Sequence, residues 1–221
     1  NVPRAEMKSA LRWKVKDMVD YPIAEATVDY LEVPGPDGRS QSVYAVLARN
    51  EVIRQRVEAF DNAGIALHVI EVPETAQRNI AALYEQPDRG VALAYFADDW
   101  GLLTISHRGE LYLARRLDVG MQALADDDGD EGGPLERVAL EIQRTLDHFE
   151  RQVRDVAVGR LLLAPTGSAT ELPEVLRSRL ELPVLEIDLA DVLSFASGAP
   201  DAPAQWRLFH HFGAALREGT A

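Results

Sequence analysis

From Arg4 to Val19 the apolar residues Met7, Leu11, Val15 and Met18 recur at three- to four-residue spacing, with Lys8, Arg12, Lys14 and Lys16 largely elsewhere around the wheel. That period predicts an amphipathic helix, which Pro22 ends because proline lacks the donor the next turn needs. The period then shortens to two. Thr27 to Val33 alternates through Val28 and Tyr30, with Leu31 between, and Val33, Gly35-Pro36-Asp37-Gly38 turns the chain, and Val43 to Ala48 runs back as an apolar strand. A hairpin follows from that order. Asn50 is placed as the N-cap of a helix carrying Val52, Ile53, Val57 and Phe60, and Gly64 sits where a left-handed C-terminal residue belongs. Ile65 to Val72 reads as a further strand, bounded by Pro73. The first unit is thus expected to be α-β-β-α-β, a small sheet with helices on one side.

Glu74 to Tyr84 has the pattern of a short helix, and Gln86-Pro87-Asp88-Arg89-Gly90 that of a linker. Three strand-like runs come next, Gly90 to Ala97, Trp100 to Ser106 and Glu110 to Leu117, closing on Asp118-Val119-Gly120. An acidic, glycine-rich stretch from Ala125 to Gly133 separates them from the most strongly patterned helix. That helix, Pro134 to Arg154, lines up Leu135, Val138, Ile142, Leu146, Phe149 and Val153 on one stripe, with proline in its first turn. Arg160 to Ala164 and Pro183 to Ile187 read as buried strands, and Glu171 to Leu180 and Ala204 to Glu218 as helices. Three antiparallel strands followed by alternating helix and strand predict an α/β, ribonuclease-H-like layout with a mixed sheet, β-β-β-α-β-α-β-α, behind a small α+β subdomain. The expected divisions are 1–73, a helix and linker at 74–89, and 90–221. No repeat of fixed period is visible.

The chain has 221 residues, 47% of them hydrophobic and 27% charged, enough to bury one large core or two modest ones. Its formal net charge of −13 repels phosphate backbones and anionic lipid surfaces at long range, so nucleic acid is not an expected partner. Without cysteine there is neither a disulfide framework nor a thiolate zinc site, which fits a reducing compartment. No apolar run approaches the ~20 residues of a membrane span, and the N-terminus lacks a signal-peptide core. A soluble, cytoplasmic body is expected. The first residue is Asn1 and a helical pattern starts almost at once, as in a fragment or processed product.

Few motifs carry chemistry. Asp126, Asp128 and Asp130 alternate as in a calcium loop, but the sixth position is Glu131 instead of glycine and the twelfth is Arg137 instead of glutamate. A solvated loop is the reading. His210 and His211, adjacent on a helix, point about 100° apart and do not share a metal, and His68, His107 and His148 are scattered. No metal site is expected. Nucleophile elbow, phosphate loop and His-Glu-x-x-His helix are all missing. Thr166-Gly167-Ser168 forms a small-residue entry into a helix, which suits a phosphate or nucleoside and equally suits an ordinary cap. Asp98 and Asp99 lie at a strand turn, where turn preference explains them.

The run Gly90 to Gly120, the segment Leu140-Glu141-Ile142-Gln143-Arg144-Thr145-Leu146-Asp147-His148-Phe149, the stretch Leu161 to Val184 and Phe212-Gly213-Ala214-Ala215-Leu216-Arg217 together resemble the PilM family of type IV pilus biogenesis proteins. Within it the resemblance is nearest to the MshI branch, of the mannose-sensitive haemagglutinin (MSHA) pilus system. It extends over nearly the whole chain, through many weak positions. The resemblance implies an actin-like fold, shared with the cell-division protein FtsA, and a cytoplasmic place at the inner face of the bacterial membrane. There the family binds the cytoplasmic tail of a PilN- or MshJ-like partner. Residues 1–73 would match its small inserted subdomain and 90–221 its second actin half.

Departures from the family pattern fall at the nucleotide site. ATP-binding members carry Asp-x-Gly at the first strand turn, where glycine admits phosphate to backbone donors and Asp holds the metal. The matching positions are Tyr95, Phe96 and Ala97. The adenosine-side glycine run matches Ala164-Pro165-Thr166-Gly167, followed by Ser168, with proline in place of a donor. These residues are expected to be a non-functional remnant, with no catalytic residues and no cofactor; ATP and magnesium belong to the alternative, an actin-like ATPase. A GspL-like secretion component is the other alternative. For a partner's extended peptide, the strand containing Val46, Ala48 and Arg49 is the expected site.

Overall fold

The computed structural model describes residues 2–35, 42–127, 132–167 and 170–217. Its contacts divide the chain into two units, 1–70 and 71–221. In the first, helix α1 (Arg4–Val15) precedes strands β1 (Ala26–Val33) and β2 (Ser42–Arg49) and helix α2 (Asn50–Asn62). The strands pair antiparallel over their whole length, from Ala26 opposite Arg49 to Val33 opposite Ser42, so the hairpin forms as its alternation predicts. Period two then fixes one apolar face. Ala26 and Val28 are buried there against Leu11, with Met7, Tyr30, Val43, Ala45 and Leu47 packed around them. The turn residues Pro36 to Gly38 lie outside the described residues.

Three expectations for this unit are corrected. The first helix stops at Val15, where the Met18 amide donates to the Val15 carbonyl (2.9 Å) and leaves Met18 exposed. Asn50 is the first residue of α2 instead of its cap, because its amide group accepts from Thr27 Oγ1 at 2.9 Å and donates to the Ala24 carbonyl. The strand expected from Ile65 to Val72 does not form. Alternation suits a strand only if a sheet edge receives it; here the sheet keeps two strands, and Ile65 stays 55% exposed. Gly64 does take the left-handed conformation, φ +68°, after α2.

The second unit runs α3 (Pro73–Ala82), β3 (Gly90–Phe96), β4 (Gly101–His107), β5 (Glu110–Leu117), α4 (Met121–Ala125), α5 (Pro134–Gln152), β6 (Val158–Leu163), α6 (Leu172–Arg179), β7 (Val184–Glu186) and α7 (Ala202–Ala215). The sheet order is β5-β4-β3-β6-β7, with β3-β4-β5 antiparallel and β3-β6-β7 parallel. This is the mixed layout the element order predicts. Central β3 is buried throughout, and its side chains alternate between two cores. Ala92, Ala94 and Phe96 face α5, whose Leu135, Val138, Ile142, Leu146 and Phe149 form the expected stripe. Val91, Leu93 and Tyr95 face α3 and α7, meeting Ile80, Ala81 and Phe209.

Helix α3, set apart with the linker in the sequence reading, is built into this second unit. It crosses α7 at Gly213, where an added Cβ would collide with the Ala76 carbonyl, and Asn79 Nδ2 donates to the Gly213 carbonyl at 2.9 Å. The predicted linker is a tight turn, closed by the Arg89 amide on the Gln86 carbonyl with Asp88 at φ +59°. The short helix α4 was not anticipated. Asp128, Asp130 and Glu131 of the acidic stretch lie outside the described residues, as does Glu218 of the final helix. Among the described residues, no helix is long and apolar enough to cross a membrane.

Candidate functional site

Parallel pairing of β3 with β6 brings the two sequence-marked segments together. Ala94 stands opposite Leu163, and the Ala164 amide donates to the Ala94 carbonyl at 2.9 Å, so Tyr95-Phe96-Ala97 and Ala164-Pro165-Thr166-Gly167 leave the sheet side by side. Ser168 lies outside the described residues. Between the segments sits Trp206 of α7. Its indole Nε1 donates to the Phe96 carbonyl at 2.6 Å, and its six-membered ring lies against Gly167. A Cβ on Gly167 would stand 2.6 Å from Cζ3 and 2.8 Å from Cδ2 of that ring, closer than such atoms approach.

Tyr95 lies on the other core. Its ring stacks on Phe209 (5.3 Å between centroids, 11°) and meets His210 edge-on at 4.4 Å, while its hydroxyl donates to the Trp206 carbonyl at 3.3 Å. Burial, with a smaller effect of Asp98, pushes this phenol up to about 12, so it is neutral at physiological pH. His210 is also neutral, since burial followed by the nearby His211 lowers it to about 4. Its Nε2 is 3.3 Å from Gln77 Oε1. Gln77, fully buried on α3, has two N–H donors on Nε2 shared among three acceptors, the Leu93 carbonyl (2.7 Å), the Leu102 carbonyl (3.1 Å) and Thr104 Oγ1 (2.9 Å). One amide thus ties α3 to β3 and β4 and meets α7 through His210.

Asp98 and Asp99 occupy the turn after β3, closed by the Ala97 amide on the Trp100 carbonyl at 2.8 Å. Backbone packs on backbone there: the Met121 and Gln122 amides donate to the Ala97 and Asp98 carbonyls, and a Cβ on Gly120 would overlap the 98–99 backbone. Asp98, Asp99, Asp118 and Asp126 line a hollow of about 410 Å³ that Arg137 shares. Among the described residues no group of three or more His, Asp or Glu side chains is placed to hold a metal. A larger hollow, about 550 Å³, opens at the opposite end of the strands beside Val158 and Pro183, away from the segments above.

The strand expected to bind a peptide is β2. Val46 and Ala48 are half-buried, and Arg49 is engaged within its own unit, its guanidinium 3.1 Å from Asp20 and 4.1 Å over the Tyr21 ring. In the described residues β2 pairs with β1 alone. Sequence reasoning missed Trp206 and Gln77, and weighed His210 only as a metal ligand against a packing or surface residue. A tryptophan and a glycine on one helix, at 206 and 213, were the available signals, and neither names its partner.

A mixed five-stranded sheet in this order, with helices on both faces, defines an actin-like fold. Solved structures agree. The chain is similar to that of a PilM-PilN type IV pilus biogenesis complex, at 18% identity and TM-score 0.65, over 98% of this chain and 72% of that one. It is also similar to a Bacteroides thetaiotaomicron protein with an actin-like ATPase fold and unknown function, at 12% identity and TM-score 0.50, over 94% and 66%. No family model matches the chain, and no curated protein matches it by sequence.

Proposed function

We propose that this chain is a non-catalytic actin-like scaffold of type IV pilus biogenesis, one that binds the cytoplasmic tail of an inner-membrane partner of the PilN type. The likeness to the PilM-PilN complex supports the setting, and the resemblance of the sequence to the MshI branch favours an MSHA-type pilus with an MshJ-like partner. In this reading the chain works in the cytoplasm, held at the inner membrane by that partner. The observation that carries the non-catalytic half is Trp206. Its indole takes the space between the two strand ends, uses the Phe96 carbonyl, and needs Gly167 for its own ring.

Tyr95, Phe96 and Ala97 supply no carboxylate for a metal and no glycine for close phosphate approach, and Pro165 lacks an amide donor. Calorimetry with Mg-ATP tests this: the expected result is no binding, and saturable heat would restore the ATPase alternative. A partner tail pairing alongside Val46 to Arg49 of β2 would gain main-chain hydrogen bonds, with Val46 and Ala48 offering shallow apolar contacts. Capture of the tail should be lost in Val46→Glu; capture that survives places the tail elsewhere. The GspL-like alternative predicts capture of a secretion-system tail in preference to a pilus one.

A further inference from the structure

Basic charge is spread unevenly along this acidic chain. Residues 1–70 carry nine Lys+Arg against ten Asp+Glu, and residues 71–221 carry 14 against 26. Only three lysines occur, Lys8, Lys14 and Lys16, all in α1 or at its C-terminal cap, and every other basic side chain is arginine. Lys8 is paired with Asp29 at 3.0 Å. Arg12 and Lys14 have no acidic partner among the described residues, and Lys16 Nζ lies 5.6 Å over the Trp13 ring. Trp13 is 75% exposed and Met18 79%, the most exposed large apolar side chains described. Leu11 packs against the sheet and Val15 is buried, on the opposite face of α1 from Trp13, which lies outside that core.

We infer that the end of α1 carrying Trp13, Lys14, Lys16 and Met18 docks on an anionic lipid bilayer. An exposed indole is matched either by a concave pocket of a partner or by the bilayer interface, where the ring lies at headgroup depth with its N–H wet. Here the ring is exposed on a helix, with the Lys16 ammonium over its face. Protein interfaces are depleted in lysine and enriched in arginine, whereas lysine stems lie readily along apolar surface while their ammonium groups reach phosphates. Asp17 offsets one of the charges of Arg12, Lys14 and Lys16, so the attraction is modest. The acidic excess of residues 71–221 is screened beyond about 8 Å at physiological salt. One such contact gives reversible binding, and a second anchor would make it stable. The inference goes beyond the partner-tail reading and stands without it.

The test is sedimentation of the full chain with vesicles of phosphatidylcholine, alone or mixed with phosphatidylglycerol. Partition onto the mixed vesicles only, falling with added salt, is expected. Lys14→Gln with Lys16→Gln should weaken it about 25-fold, each lysine being worth roughly fivefold near an anionic surface. Arg54→Gln with Arg56→Gln, which removes equal charge from α2, should leave it within about twofold. Brominated lipid should quench tryptophan fluorescence, and Trp13→Phe should abolish that quenching while Trp100 and Trp206 stay protected. Absence of partition at low salt overturns the inference, as does equal loss in both double variants or quenching that persists without Trp13. Binding to polyglutamate without binding to vesicles assigns the patch to an acidic protein and also overturns it.

Discussion

Trp206 gives two separable quantities, a hydrogen bond and a packed ring, and two substitutions divide them. Trp206→Phe keeps an aromatic ring beside Gly167 but leaves the Phe96 carbonyl without its 2.6 Å donor. A lost bond to a largely buried carbonyl costs about 1–2 kcal/mol. Trp206→Ala also removes the ring that packs against both cores of the second unit. Truncating a buried Trp or Phe costs about 3–5 kcal/mol, and Trp206 is only partly buried, so a total of about 3–4 kcal/mol is expected. Urea denaturation followed by circular dichroism measures both differences. Equal losses in the two variants, or a Phe variant as stable as the parent, would refute the division. Calorimetry adds a functional arm: the Ala variant should still not bind Mg-ATP, because removing the ring restores neither the missing carboxylate nor the missing glycine. Nucleotide binding gained on truncation would show that the indole alone blocks an otherwise competent site.

Gly213→Ala forces a methyl group into the Ala76 carbonyl at the α3–α7 crossing and should cost about 2–3 kcal/mol by thermal denaturation. Gly64→Ala, at φ +68° with open space around the added methyl, should cost only about 1 kcal/mol, so similar losses would contradict the packing account. His210 is lowered from 6.5 to about 4, so protonation favours the unfolded chain. Its contribution is whole above pH 6.5 and is lost as pH falls toward 4, by up to about 3 kcal/mol, and His210→Asn should flatten that slope in denaturation measured across the range. Gln77→Leu leaves the Leu93 carbonyl without its 2.7 Å donor, and a loss of at least about 2 kcal/mol in urea is expected.

Where a segment's own period decides its structure, the sequence is legible. The stripe Leu135 to Phe149 and the three runs after Gly90 become α5 and β3-β4-β5 because each has enough apolar positions to bury one face or both. Ile65 to Val72 has equally strand-like residues and stays outside any sheet, since a ladder is a property of two segments. The helix at 73–82 is legible, but its membership is not. It belongs with residues 71–221 through Gln77 and the fit to Gly213, contacts spanning up to more than a hundred residues that no local pattern encodes. The positions of the candidate site were readable as departures from a motif; what fills them was not, because Trp206 lies about forty residues beyond Gly167.

That distance bears on how glycine is read in a site of this kind. Taken alone, Gly167 after a parallel strand is what a nucleoside-binding turn needs, since a bare backbone admits a close planar ring. In this structure the ring is indole, supplied by the chain itself, and the requirement is met in the same way: no Cβ fits. Retained glycine therefore argues for a flat neighbour and leaves open whose it is. The neighbouring positions discriminate. A nucleotide needs donors and a metal ligand aimed at phosphate, whereas an internal tryptophan needs one acceptor for its N–H and apolar walls. The Phe96 carbonyl supplies the acceptor, and Phe96 and Tyr95 bury their rings in the cores on either side of the sheet. At Gly167 and at the Phe96 carbonyl the neighbour is Trp206, which is why the strand ends of this sheet read as a closed joint between β3, β6 and α7.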